Sequence, residues 1–425
     1  MLSIVLKNFK SFKEATLHLS PLTLLIGANA SGKSNAIESI RLLNWLAQGK
    51  KLFSIQHDIQ DSVKLIRGRL SDIGYCHDTT FSIGCTRSSK WNKLNIEIGL
   101  RDDELHINNE CITDDNEKVP LYKIKSPSSG RRTDIAVEYN NFSKGRTKPI
   151  VKCVDSMAIF TQLDSPATFA NNHKESQKII PKVTKEFQDS LGNIVFLDPV
   201  PVLMRDSEFT TEKIMRGDGK NISGVLYNLC KYPDIKKQIL LIIESLPEQD
   251  ISDITFDSTS KGRVLLEIEE NFGKSPRKWD ATMLSDGTLR VLSIAATLLS
   301  AQEGSLVVIE EVDNGVHPSR AQNLLMSMQR IAIERKIKLL LSTHNPALMD
   351  AVPDEAIGNV VFCFRDSEDG SSKLVRLSDV DSFSALAASG SLGQLATRQT
   401  IERFVKNKQT PDEKKAKAIA WLDAL

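Results

Sequence analysis

LTLLIGANASGKSNAIESIRLLNWL, residues 22–46, decides the fold. Leu22 to Ile26 is a short apolar run of the length expected for a strand buried on both faces. Gly27 and Gly32 then bracket four residues, and Lys33-Ser34 follows at once. From Asn35 to Leu46, Ile37, Ile40, Arg41 and Asn44 recur at helical spacing, and Leu42, Leu43, Trp45 and Leu46 complete a largely buried helix. Strand, glycine loop and helix in that order form a phosphate cradle. Glycine lets backbone amides turn inward around phosphate oxygens, and the helix N-terminus adds positive potential. In such a loop Gly27, Asn29, Gly32 and Asn35 are candidate nucleotide contacts, Lys33 is placed for the β and γ phosphates, and Ser34 is placed for Mg²⁺.

Three further segments supply chemistry that a phosphate cradle needs. Leu306-Val-Val-Ile309 is an apolar strand that delivers two carboxylates at its end. Glu310 is the candidate Mg²⁺-side acid, and Glu311, one residue further on, is the candidate catalytic base that orients and deprotonates water. Leu284-Ser-Asp-Gly-Thr-Leu-Arg290 opens an apolar helix, so Ser285 and the Gly287 amide sit at a second helix N-terminus suited to phosphate. Ser-Asp-Gly also caps helices with no ligand present. Leu339-Leu-Leu-Ser342-Thr-His344 repeats the design of a buried strand with a polar end and presents His344 as a candidate γ-phosphate sensor. One nucleotide can be gripped by both helix N-termini only if the second comes from another molecule or another lobe.

Composition narrows the partners. The chain has 425 residues with 55 Lys and Arg against 54 Asp and Glu, so no bulk charge draws it to nucleic acid or to an anionic membrane. Any such contact must be a local patch. Six scattered cysteines lack the close pairs of a zinc site and the density of a disulfide scaffold, which fits a reducing cytoplasm. The opening Met1-Leu-Ser-Ile-Val-Leu-Lys-Asn-Phe-Lys10 alternates like a strand and lacks the apolar core of a signal peptide. No apolar run reaches the roughly 18 residues of a membrane span.

Along the chain, residues 2–7 and 15–19 read as strands around an Asn8-to-Lys13 turn, and residues 79–154 as an antiparallel meander. Residues 125–152 are rich in turn formers and positive charge. Ile194 to Leu197 reads as a buried strand, residues 222–246 as apolar-periodic helices, and Val264 to Glu269 as one more strand. The expected organisation is a nucleotide-binding lobe over 1–205 with a β insertion, a helical lobe and linking strand over 206–283, the rest of the nucleotide-binding lobe over 284–375, and a helical or partner-docking tail over 376–425.

The motifs together resemble the ABC-type ATPase superfamily, in its RecF, SMC and OLD branch. The resemblance rests on Leu6-Lys-Asn-Phe-Lys-Ser-Phe12, the loop from Gly27 to Ser34, Leu284 to Arg290, Ile309-Glu-Glu-Val-Asp-Asn-Gly-Val-His-Pro318 and Ser342-Thr-His344. Arg216-Gly-Asp-Gly-Lys-Asn221 looks like a segment of compact single-chain ATPases of this group. The resemblance implies an α/β head with a P-loop mixed core sheet, an antiparallel β layer and a helical lobe. It implies ATP and Mg²⁺ as ligands, His344 as a switch histidine, and Asn314 with Gly315 in a loop linking two sites. It also implies a head-to-tail homodimer in which Ser285 and Gly287 complete a partner's site. The family's glutamine after the lobe-linking strand has no clear equivalent: the strand ends in Asp198-Pro199, and Gln162 is the rival position. Glu310 also stands where the family usually has aspartate.

Residues 35–283 contain no heptad arm. Asp379-Val-Asp381 has the spacing of a TOPRIM acid pair, but too little chain surrounds it for a nuclease fold. The resemblance implies a cytoplasmic ATPase switch or motor acting on a separate effector, as compact relatives do in anti-phage defence. The alternative is a RecF-like clamp on DNA, with Lys125, Arg131, Arg132, Lys144, Arg146 and Lys148 as phosphate contacts.

Overall fold

A computed structural model of the chain describes residues 2–55, 65–129, 133–145, 147–243, 251–259, 262–272, 275–313, 318–380, 383, 388–398 and 400–406. The N-terminal alternation forms a hairpin of β1 (Ser3–Phe9) and β2 (Phe12–His18), paired from Ser3↔His18 to Phe9↔Phe12. Asn8 and Lys10 take positive φ at its turn. Leu22–Ile26 is β3, buried at all five positions as its apolar run requires. The expected meander is β4 (Thr80–Thr86), β5 (Lys93–Arg101), β6 (Glu104–Thr113), β7 (Tyr122–Ser126), β8 (Asp134–Tyr139) and β9 (Ile150–Val154). Its first strand, β4, pairs with β1. The hairpin and meander share one eight-stranded antiparallel sheet in the order β2-β1-β4-β5-β6-β7-β8-β9.

The second sheet runs β10-β15-β16-β3-β17-β18, with β10 (Val195–Leu197), β15 (Leu306–Ile309), β16 (Lys338–Ser342), β17 (Val361–Arg365) and β18 (Ser372–Arg376). All its pairings are parallel except β17 with β18. Side chains alternate across each strand, and the core divides accordingly. Leu24, Val307, Ile309, Leu339 and Leu341 feed one apolar cluster. Leu25, Leu306, Val308 and Leu340 feed the other. The mixed sheet is therefore the middle layer, and its apolar strands carry no polar face.

Helix α1 (Lys33–Ala47) belongs to the cluster shared with the antiparallel sheet, which is why ten of its fifteen residues are buried. Helix α2 (Lys174–Gly192) packs in the same cluster despite Pro181 in its interior, through buried Ile180, Val183, Phe187 and Leu191. Burial of that face outweighs the local cost of proline, about 3 kcal/mol. On the other side lie α5 (Asp286–Ser300) and α6 (Ala321–Glu334).

Residues 206–283 contain the expected helices, α3 (Ile222–Leu229) and α4 (Pro233–Ile243), but also a sheet that the single expected strand understated. There β13 (Arg263–Phe272) pairs with β11 (Glu208–Phe209), β12 (Ile251–Thr259) and β14 (Ser275–Asp280). The region is helical and β-stranded. After β18 the described residues include short helices at Leu392–Thr397 and Thr400–Lys406. Asp381 and residues 407–425 lie outside the described residues.

Candidate functional site

The Gly27-to-Gly32 loop leaves β3 at the C-terminal edge of the mixed sheet and enters α1. Its path depends on glycine. Gly27 has φ 149°, and a Cβ there would stand 2.2 Å from the Cys363 carbonyl oxygen in β17. Gly32 has φ 119°, and a Cβ would stand 2.4 Å from Ser372 Oγ in β18. The β17–β18 hairpin also holds the loop from behind, since Ser372 Oγ donates to the Ser31 carbonyl (2.6 Å) and Cys363 Sγ donates to the same oxygen (3.3 Å). Burial pushes the Cys363 thiol up to about 11, so the contact is made by a neutral S–H. Gly27→Ala is therefore expected to push the loop off the hairpin. It should weaken nucleotide binding by at least about tenfold and cost about 1–3 kcal/mol of stability. Titration with a fluorescent ATP analogue, alongside thermal melts, checks both effects.

A cavity of about 310 Å³ opens over the loop. Asn29, Gly32, Lys33, Ser34 and Asn35 form its floor, while Glu310, Glu311 and His344 reach it from the ends of β15 and β16. Parallel pairing of β3, β16 and β15 brings these segments together, because it sets all three C-terminal ends on one edge. Lys33 Nζ donates to the Gly27 and Ala28 carbonyls at 2.6 and 3.0 Å. Burial holds its pKa below the usual lysine range, against the opposing pull of Cys363 and Glu311. The cap residue Gly32 provides no side-chain hydrogen bond to α1, leaving the first amides of the helix for an anion.

Glu311 is exposed and has φ 49°, an uncommon conformation for glutamate, with its N–H donating to Ser342 Oγ at 3.2 Å. Strain of this kind gathers at functional sites. The β16 end is braced in turn: Val312 N–H donates to the Ser342 carbonyl (3.1 Å) and Thr343 Oγ1 to Asp313 Oδ1 (2.6 Å). His344 follows immediately and is exposed. Ser34 and Glu310 offer a hydroxyl and a carboxylate, the hard oxygen donors that suit Mg²⁺. Among the described residues no group of three or more His, Cys, Asp or Glu is placed to hold a metal unaided.

Ser285 and Gly287 do not line this cavity. Ser285 is exposed and caps α5, accepting from Thr288 N–H at 3.1 Å, and Arg205 pins the preceding turn by donating to the Leu284 carbonyl (2.9 Å) and Asp286 Oδ1 (2.7 Å). Asn314 and Gly315 lie outside the described residues. The two glutamine-position candidates separate cleanly. The Gln162 amide is spent on backbone, accepting from Val154 N–H (2.9 Å) and donating to the Val154 and Met157 carbonyls (2.8 and 3.1 Å). Asp198 instead lines a larger adjoining cavity that shares Ser34 and Glu310 with the first.

Sequence reasoning overlooked several residues. Asn35 Nδ2 donates to Ser11 Oγ at 2.8 Å, and Ser372 Oγ lies 2.8 Å from the same atom, so the N-terminal hairpin turn is tied to the loop. Arg67 lines both cavities and pairs with Glu38, which also pairs with buried Lys10. Burial lowers the Lys10 pKa, opposed chiefly by Glu38. Arg41 was noted only for its helical spacing, yet its Nη2 lies 3.0 Å from Glu310 Oε1. Its position seven residues after Ser34, on the same face of α1, is the one signal that could have found it.

Two family models match the chain. One, described as "AAA ATPase domain", covers residues 1–197. The other, described as "AAA domain, putative AbiEii toxin, Type IV TA system", covers residues 225–350. Between them they include the phosphate loop, the Ser285 segment, the two acids and His344. No curated protein matches. Among solved structures, an SMC head bound to the C-terminal winged-helix domain of ScpA aligns with 14% identity over 88% of this chain and 96% of its own, at a TM-score of 0.44. The SMC head domain from Thermotoga maritima aligns at 12% identity, over 88% and 98%, with a TM-score of 0.40. An SMC head with an extended coiled coil bound to the C-terminal domain of ScpA, derived from Pyrococcus furiosus, aligns at 11%, over 88% and 95%, with a TM-score of 0.41.

Proposed function

We propose that this chain is an ATPase of the ABC-type superfamily, in its RecF/SMC-like branch, and that it hydrolyses ATP at a site completed by a second copy of itself. The observation that carries the reading is the division of the motifs. The phosphate loop, both strand-end acids and His344 line one cavity, while Ser285 and Gly287 face solvent elsewhere on the same chain. A head-to-tail pair would bring the Ser285 helix N-terminus of one copy to the phosphate loop of the other, giving two equivalent sites.

In this reading Asn29, Gly32 and Asn35 form the floor on which the triphosphate rests, Gly27 sets the turn that opens the loop behind them, and Lys33 moves from the Gly27 and Ala28 carbonyls to the β and γ phosphates. Ser34 and Glu310 would hold Mg²⁺, which supplies charge neutralisation on those phosphate oxygens. Glu311 takes a proton from water as the water oxygen bonds to the γ-phosphorus and the bond to the ADP oxygen breaks. His344 contacts the γ-phosphate and reports its presence to the helix that begins at Pro346. Asp198 stands where the family has glutamine and faces the same metal side through the adjoining cavity. Asn314 and Gly315 would lie in the linker between the two sites.

The closing and opening of this dimer is proposed to act on a separate effector protein. What supports that setting is the description of the model over residues 225–350, which names AbiEii and a type IV TA system. Of the residues that a DNA clamp would use, Lys125 and Lys144 are exposed, Lys148 Nζ donates to Asn141 Oδ1 and the Ser143 carbonyl, and Arg131, Arg132 and Arg146 lie outside the described residues. Among the described residues no helix is long and apolar enough to cross a membrane. The proposed location is the cytoplasm.

The test is Mg²⁺-dependent release of phosphate from ATP by the purified chain, with Lys33→Ala as its control. Removing the ammonium should weaken ATP binding by at least about tenfold, since charge-assisted contacts to phosphate are the strong ones. A Lys33→Ala protein that binds and hydrolyses ATP like the parent would overturn the site.

A further inference from the structure

We propose that Arg41, braced by the ring of Phe196, is a positioning residue that fixes the Glu310 carboxylate at the metal side of the nucleotide cavity. The inference rests on the ATPase reading above and adds to it residues outside every motif.

Three elements meet at this point. Arg41 lies on α1, seven residues and about two turns after Ser34, so one rigid helix carries the Ser34 hydroxyl and the guanidinium on the same face. Its Nη2 lies 3.0 Å from Glu310 Oε1, with both side chains roughly three-quarters buried, at 26% and 31% exposure. Its Cζ stands 4.5 Å from the centroid of the Phe196 ring. Phe196 sits on β10 directly opposite Val308 of β15, two residues before Glu310. The guanidinium thus lies over an aromatic face and presents one nitrogen to the acid.

The need for such a brace follows from the residue at 310. Glutamate has one more rotatable bond than aspartate, so the carboxylate at the end of β15 has more freedom to lose before it can meet a cation that demands near-octahedral geometry. A carboxylate has two oxygens, so one can hold a guanidinium while the other serves a metal. A lone ion pair that water still reaches contributes little to stability. Its reason for being here is therefore placement. Lysine at 41 would keep the charge and lose the contact that a flat guanidinium makes with the ring.

The experiment measures the affinity of a fluorescent ATP analogue in Mg²⁺ and again in EDTA, for the parent chain, Arg41→Ala, Arg41→Lys and Phe196→Leu, with thermal melts alongside. In Arg41→Ala the gain in affinity that Mg²⁺ brings should fall by about tenfold or more, as for other outer partners of metal ligands. The EDTA affinity should stay within about twofold, because the phosphate loop is untouched. Half-saturating Mg²⁺ for hydrolysis should rise in parallel. Arg41→Lys and Phe196→Leu should show the same selective loss to a smaller degree, and they carry the test if Arg41→Ala does not fold. An unchanged Mg²⁺ gain in all three variants, or an equal loss in Mg²⁺ and EDTA, overturns the positioning role. A parent chain whose ATP affinity does not respond to Mg²⁺ overturns the ATPase reading itself, an outcome distinct from either.

Discussion

Glu311→Gln is expected to bind ATP within about twofold of the parent chain and to turn it over roughly 100- to 10,000-fold more slowly, the range that loss of a general base produces. The substitution keeps the shape and most polar contacts of the side chain and removes only its ability to take a proton. It leaves untouched Lys33, Ser34 and the helix N-terminus that are proposed to hold phosphate, so affinity has no reason to fall. The backbone N–H of residue 311 keeps its bond to Ser342 Oγ, and φ 49° is no harder for glutamine than for glutamate. With chemistry stalled and binding intact, ATP should accumulate in a closed dimer, visible as a rise in mass by light scattering when ATP is added. Single-turnover kinetics and equilibrium binding separate the two effects. Parallel loss of binding and turnover would move Glu311 from base to scaffold, and near-parental turnover would shift the base to another group.

Ser285→Arg should abolish steady-state hydrolysis while ATP still binds the phosphate loop with near-parental affinity. The reason is geometric: Ser285 is exposed at the α5 N-terminus and does not line the cavity of its own chain, so a long charged side chain there can block only a neighbour's site. Serine at this position also caps the helix through Thr288 N–H, and loss of the cap alone costs about 1 kcal/mol. Ser285→Ala measures that cost without the bulk, so a melt of each variant separates folding from assembly. Mixing Ser285→Arg copies with Lys33→Ala copies should restore activity, because the mixed dimer contains one site with an intact phosphate loop and an intact facing serine. A Ser285→Arg chain that hydrolyses ATP as fast as the parent would show that each chain works alone.

How much was legible depended on how far apart in the chain the cooperating residues lie. Gly27 to Ser34 could be read because a phosphate loop needs its strand, turn and helix in immediate succession. Glu310 and Glu311 could be read only beside the phosphate loop, because an apolar strand ending in two acids is on its own most often an exposed strand end. The strands β12 and β14 went unread because Ile251–Thr259 and Ser275–Asp280 are polar enough to pass for loop until β13 pairs with them. Gln162 looked like a rival for the missing glutamine only because its sequence neighbours are silent about the Val154 and Met157 backbone that uses up its amide.

The sequence by itself therefore determined β3, β10, β15 and β16 of the middle sheet, though not β17 or β18, together with the loop that leaves it and the candidate acids and histidine at its edge, since each is a contiguous segment with a local pattern. Tertiary structure alone decided the surroundings of those residues. It set the β17–β18 hairpin against Gly27 and Gly32, joined the N-terminal hairpin to the meander, and placed Arg41 against a carboxylate 269 residues away with Phe196 behind it. Contacts of that span follow from how sheets stack and which strand edges meet. Those are properties of the packed chain, with no local spacing to announce them.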